Sequence, residues 1–262
     1  EQGADLIIAV DPDADRCALA VPDPTSETGW SPLSGDQIGS LLGEFLAERG
    51  MTGSLANSIV SSRLLSRIAR AHGLEHHTTL TGFKWIARAP GLGFGYEEAI
   101  GFCPDPAHVR DKDGIATSVV AASLVAALKA QGRSVWDELE RLARLHGLHV
   151  SSPLTFRVEE IEQIASGMAR LRAQPPSVLA GSPVVEVSDL SQGYRGLPPT
   201  DGVLVLTEAG DRVIARPSGT EPKLKCYLEV ILPVAEGESL PWEQARERLD
   251  SIKGAFAEII GL

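Results

Sequence analysis

The segment Arg216-Pro217-Ser218-Gly219-Thr220-Glu221-Pro222-Lys223-Leu224-Lys225 packs cations, hydroxyls and a glycine into one tight polar loop between two apolar runs. Successive N–H groups at Ser218, Gly219 and Thr220 can converge on one point, two hydroxyls add donors, and Arg216 and Lys225 bring charge from the flanks. That chemistry suits a phosphate dianion; the alternative is an ordinary Pro- and Gly-bearing hairpin turn. Near the other end an apolar run at residues 6–10 leads into Asp11-Pro12-Asp13-Ala14-Asp15-Arg16, and a second apolar run follows. Three carboxylates at alternate positions after a strand can converge on a hard cation. Mg²⁺ favours a few carboxylates with phosphate oxygens over an all-protein cage.

An EF-hand is excluded at this loop, because its sixth position wants Gly and its twelfth Glu, where the chain has Arg16 and Pro22. A phosphatase of the haloacid-dehalogenase type, which also sets Asp-x-Asp after a strand, stays open on the loop alone. A third constellation is Gly95-Tyr96-Glu97-Glu98-Ala99-Ile100-Gly101, followed by Arg110-Asp111-Lys112-Asp113-Gly114. A carboxylate between glycines at a strand end can accept two sugar hydroxyls, and a lysine at a helix start can serve phosphate or proton transfer. Asp111 and Asp113 also suit a helix N-cap and first turn. Thr81-Gly82-Phe83-Lys84 reads as a helix start with a reachable lysine.

The elements that must carry these residues alternate. Helices are expected at residues 36–49, 64–71, 113–130 and 135–145, with a helical turn from Gly82, and strands at 55–60, 77–80 and 94–96. That pattern suggests a layered α/β domain. The style changes around His149–Pro153, where a boundary is expected. Beyond it lie a helix with Ile161, Ile164, Met168 and Leu171 on one face and a final helix carrying Ala245, Leu249, Ile252, Phe256 and Ile259. Strands at 184–187, 202–206, 212–215 and 224–232 complete an α+β lobe.

A net charge of −11 argues against a general nucleic-acid binder, so any anion site must be local. An apolar share of 43% allows substantial cores. Cys17, Cys103 and Cys226 are far apart and odd in number, which fits free thiols in a reducing compartment, the cytoplasm by default. The six histidines lack metal-ligand spacing, and the longest apolar stretch is too short to cross a bilayer.

Taken together and in this order, the motifs resemble the α-D-phosphohexomutase family, which includes phosphoglucomutases and phosphomannomutases. The resemblance implies the end of one α/β domain with the metal loop (1–21), a complete layered α/β domain 3 that binds sugar (22–147), and a phosphate-binding α+β domain 4 (148–262). It implies Mg²⁺ on Asp11, Asp13 and Asp15, with Arg16 as a neighbouring active-site base or phosphate contact and Lys112 as an active-site lysine. Glu97 would accept sugar hydroxyls. Thr81, Gly82 and Lys84 would belong to a substrate loop, and Arg216, Ser218, Gly219, Thr220 and Lys225 to a phosphate clamp.

The implied activity interconverts hexose 1-phosphate and hexose 6-phosphate through a phosphoserine enzyme and a hexose 1,6-bisphosphate. Two departures qualify it. Ala99 stands where many relatives carry Ser, a form closest to the phosphoglucomutase branch that also includes phosphopentomutases. The family's serine nucleophile has no counterpart in this chain, so N-terminal domains are expected upstream and the chain alone is expected to be inactive. Against the mutase stand a non-catalytic sugar-phosphate binding fragment and the dehalogenase-type phosphatase. The latter would need an acidic pair that is absent, and it leaves the Arg216 loop unexplained.

Overall fold

The computed structural model describes residues 3–218 and 221–261. The chain divides into two compact units, 1–146 and 147–262. In the first, β1 (Ile7–Val10), β2 (Cys17–Pro22) and β3 (Trp30–Pro32) form an antiparallel sheet in that order. A second sheet has the order β5-β4-β6-β7, from β4 (Ser54–Ser58), β5 (His76–Thr79), β6 (Leu92–Glu97) and β7 (Gly101–Cys103). β4 runs parallel to both β5 and β6, and its five residues are all buried, as expected of a central parallel strand covered on both faces.

The helices are α1 (Gly35–Glu48), α2 (Leu64–Ala71), α3 (Phe83–Ile86), α4 (Gly114–Ala130) and α5 (Val135–His146). Ser34 and Gln37 close a reciprocal capping box on α1. Its apolar face, with Ile38, Leu41 and Leu42, meets Leu65, Phe94, Tyr96, Phe102 and Leu142 in the main core, which also takes in Cys17, Leu19 and Val21 of β2. On the opposite side, Phe83 and Ile86 of α3 pack with Ala56, Leu92 and Cys103. The carboxylates of Glu44, Glu48 and Glu138 converge on the Arg141 guanidinium at 2.5, 3.0 and 2.6 Å, an ion-pair network that ties α5 to α1.

The second unit is a six-stranded antiparallel sheet in the order β8-β13-β12-β11-β10-β9. Its strands are β8 (Leu148–Arg157), β9 (Val178–Leu179), β10 (Ser182–Asp189), β11 (Val203–Thr207), β12 (Arg212–Pro217) and β13 (Lys223–Leu232). Leu224, Cys226, Leu228, Val230 and Leu232 are buried at alternate positions of β13. The helices α6 (Ile161–Ala173) and α7 (Trp242–Ile260) pack against that sheet. Asp211 is fully buried and takes Arg248 through two bonds of 2.7 Å.

His149–Pro153, where the style of the sequence changes, lies within β8, which pairs with β13 across ten residues. Two expectations are corrected. Ile161 opens α6 but is 58% exposed, because the first turn overhangs the sheet-facing stripe of Ile164, Met168 and Leu171. On α7 it is Ile260, rather than Ile259, that completes the buried face. Among the described residues no single helix is long and apolar enough to cross a membrane.

The glycines give a direct test of this packing. A Cβ on Gly39 would come within 2.5 Å of the buried Tyr96 ring, whereas one on Gly254, in α7, would meet nothing within 4 Å. Gly39→Ala is expected to destabilise the chain by about 1–3 kcal/mol through overpacking. Gly254→Ala is expected to stabilise it by about 0.5–1 kcal/mol through helix propensity. Urea unfolding of both variants checks the pair; equal effects would contradict the α1–β6 packing.

Candidate active site

In the first unit, the Asp11–Arg16 loop joins β1 to β2. Ala14 sits in the left-handed region at φ 56°, and its N–H closes a turn on Asp11 O at 2.9 Å. The turn folds the loop back, so carboxylate oxygens of Asp11, Asp13 and Asp15 all lie within 4.8 Å of one another. The Arg16 N–H donates to Asp11 Oδ1 at 3.0 Å, and that bond holds the Asp11 carboxyl below the usual carboxylate range. The Arg16 guanidinium stands 3.6 Å from Asp11 Oδ2. Asp15 Oδ1 is buried and has no hydrogen-bond partner among the described residues.

Gathered hard oxygen donors with one buried, unsatisfied lone pair are the donor set Mg²⁺ takes. In contrast, the glutamates around Arg141 already share a bound guanidinium. The α4 helix reaches the aspartate loop directly. Asp113 caps it by accepting from Ala116 N at 2.8 Å, and the Gly114 N–H donates to Ala14 O at 3.0 Å. A Cβ at Gly114 would press within 2.6 Å of Ala14 O and 2.7 Å of Arg16 O, so only glycine admits this approach.

Lys112 precedes that cap. Its ammonium bonds Asp15 Oδ2 at 3.0 Å and Asp111 Oδ1 at 3.3 Å and lies 5.5 Å from the centre of the Phe83 ring. Burial alone would lower its pKa, but the bonds to Asp15 and Asp111 outweigh that and raise it, so the side chain stays charged. The lysine stem crosses Gly101, where a Cβ would meet Lys112 Cδ at 2.6 Å and Glu97 Oε1 at 3.0 Å. Glu97 therefore ends β6 beside Lys112. Burial, and next the neighbouring Glu98 charge, push the Glu97 carboxyl up.

The structure thus brings together Asp11, Asp13, Asp15, Arg16, Glu97 and Lys112. Thr81 and Gly82 lead into α3, with Gly82 at φ 100°, and reach the group through the next residue, Phe83. Lys84 is exposed, with its ammonium 5.9 Å from the Trp85 ring centre and no described contact to the carboxylates. Asp111, expected in the helix cap, instead pairs with Lys112.

In the second unit, Arg216 and Lys225 are directly paired across β12 and β13. The Arg216 stem lies against Gly202, where a Cβ would come within 3.0 Å of its Cγ. The Ser218 N–H, expected as a phosphate donor, donates instead to Lys223 O at 2.8 Å. Gly219 and Thr220 lie outside the described residues. Sequence reasoning did not single out Arg157, which pairs with Lys223 at the same end of the sheet; only the β8 pairing reveals it.

A family model of the phosphoglucomutase/phosphomannomutase alpha/beta/alpha domain III matches residues 34–145, and one of the C-terminal domain matches 155–255. The chain belongs to the phosphoglucomutase/phosphomannomutase family. It is 43% identical to a Haemophilus influenzae protein named "Probable phosphomannomutase", over 87% of this chain and 47% of that protein. It is 32% identical to the phosphopentomutase of Mus musculus, over 97% of this chain and 46% of that one. With a phosphoglucomutase of Staphylococcus aureus it shares 33% identity over 88% of this chain and 45% of that one. The chain spans about half the length of the curated relatives it matches. The solved phosphoglucomutase parafusin of Paramecium shares the fold, with a TM-score of 0.69 and 19% identity over 97% of this chain and 46% of that one.

Mn²⁺ titration followed by electron paramagnetic resonance tests the aspartate loop. Asp13→Asn removes one of three anionic donors and is expected to weaken Mn²⁺ binding by about tenfold or more, since ligand charge sets the affinity of such sites. Equal affinities would exclude the loop as a cation site.

Proposed function

We propose that this chain is the C-terminal portion of a Mg²⁺-dependent mutase that interconverts hexose 1-phosphate and hexose 6-phosphate, of glucose, mannose or both. The reaction would run through a phosphoserine enzyme and a hexose 1,6-bisphosphate. The observation that carries this reading is the gathering of Glu97, Lys112 and the three aspartates against Gly101 and Gly114. One surface thereby offers a cation site, a fixed ammonium and a hydroxyl acceptor.

Asp11, Asp13 and Asp15 would hold Mg²⁺, which when bound neutralises charge on the transferring phosphoryl group. Lys112 stays protonated under its two carboxylates and donates to a phosphoryl or sugar oxygen. Arg16, always charged, serves as a phosphate contact rather than a base. Glu97 accepts hydrogen bonds from two sugar hydroxyls, and Thr81, Gly82 and Lys84 line the approach. In the second unit, Arg216, Ser218, Gly219, Thr220 and Lys225 would bind a phosphate. The nucleophilic serine is assigned to N-terminal domains of the full-length protein, with residues 1–21 as the tail of the second. The chain by itself is expected to bind sugar phosphate without turning it over.

A second reading, a phosphopentomutase, is favoured by the match to the Mus musculus enzyme across 97% of this chain. Phosphorus NMR of the full-length protein with Mg²⁺, a catalytic amount of glucose 1,6-bisphosphate, and glucose, mannose or ribose 1-phosphate in turn separates the two. A growing hexose 6-phosphate signal is expected; conversion of the ribose ester alone would establish the second reading, and no conversion would overturn both. In the same assay Arg216→Ala is expected to raise KM by about tenfold to a hundredfold, the worth of a charge-assisted phosphate contact of about 1.5–3 kcal/mol. An unchanged KM would remove the hairpin from the site.

A further inference from the structure

Glu97 pairs with Gly101 across the β6–β7 hairpin, so Glu98, Ala99 and Ile100 form a three-residue loop. Such loops usually end on a glycine in the left-handed region. Here the position is held by Ile100 at φ 57°. A β-branched residue is strained there and persists only where its surroundings impose the conformation.

The imposing contacts centre on Glu98. Its Oε2 accepts from Ser58 Oγ at 3.0 Å and Ser61 Oγ at 3.1 Å, while its N–H donates to Ser61 Oγ at 3.2 Å. Both serines are buried, and their hydroxyls lie 2.9 Å apart at the carboxyl end of β4. The Glu98 carbonyl is clamped from the other side by α1, since a Cβ on Gly35 would come within 2.1 Å of its oxygen. Downstream, Cys17 N donates to Ile100 O at 3.1 Å. Glu98, the first loop residue, thus enters the serine pocket, while Glu97, the last residue of β6, lies beside Lys112.

We propose that Glu98 is a positioning residue: anchored by Ser58 and Ser61, it fixes the strained turn that presents Glu97 to the sugar hydroxyls. The proposal rests on the mutase reading. Glu98 itself reaches no substrate; it acts through Glu97 and confers geometry rather than proton transfer.

A double-mutant cycle in the full-length protein tests it. Glu98→Ala is expected to raise KM for glucose 1-phosphate about tenfold with kcat little changed, and to add nothing on a Glu97→Gln background. Glu98→Gln, which keeps an oxygen for both hydroxyls, should restore KM. Equal losses in both backgrounds, or none in either, would overturn the proposal. Should Glu98→Ala fail to fold, Ser58→Ala/Ser61→Ala removes the same anchor and should give the same KM change. Amide hydrogen exchange at residues 98–101 reads the turn without any substrate. Faster exchange in the variant at unchanged melting temperature supports the anchor, and unchanged exchange refutes it. Absent turnover in the unmodified protein, by contrast, refutes the mutase reading.

Discussion

The first unit's site depends on one ammonium group. Lys112 lies among Asp15, Asp111 and Glu97, and without its charge these carboxylates would repel one another across a few ångströms. Burial alone would lower the pKa of this lysine. The paired carboxylates reverse that tendency, and the Phe83 ring face adds a favourable neighbour. The arrangement also sets where glycine must stand. Gly101 lets the lysine stem cross the strand, and Gly114 lets the first turn of α4 touch the aspartate loop. Loop, strand end and helix start thereby become one contiguous surface of placed charges.

The second unit solves a different problem, holding cations at the exposed end of a sheet whose interior is apolar. Leu224, Cys226 and Leu228 of β13 anchor the strand on the helix side, while Lys223 and Lys225 alternate to the other side, next to Arg157 and Arg216 on the neighbouring strands. Further along that face, Glu229 is buried between Arg212 at 3.2 Å and His149 at 3.1 Å. Breaking such a pair leaves a buried charge uncompensated, so it fixes the β8-β13-β12 register more than it adds stability. That register decides which cations meet at the hairpin.

Much of this was legible in the sequence, because local chemistry carries it. The α2 bounds follow from periodicity alone, the Asp113 cap from side-chain type, and the aspartate triad from alternate spacing after a strand. What stayed hidden depends on pairing between distant segments. Ser151-Ser152-Pro153 has a turn's composition yet forms strand because β13 supplies its partner. Ser218 offers an N–H to any phosphate until the hairpin closes and Lys223 takes it. Glu98 sits next to a more conspicuous glutamate, and its significance emerges only when Ser58 and Ser61, some forty positions earlier, are brought to its carboxylate. Gly101 and Gly114 are inconspicuous in sequence and prove to be points of close approach.

The most direct test is an anomalous difference map from a crystal of the full-length protein grown with Mn²⁺ in place of Mg²⁺. A single strong peak bonded to oxygens of Asp11, Asp13 and Asp15 is expected, with the Lys112 ammonium still on the far oxygen of Asp15. A peak among Glu44, Glu48 and Glu138 instead, or none at the aspartate loop, would contradict it.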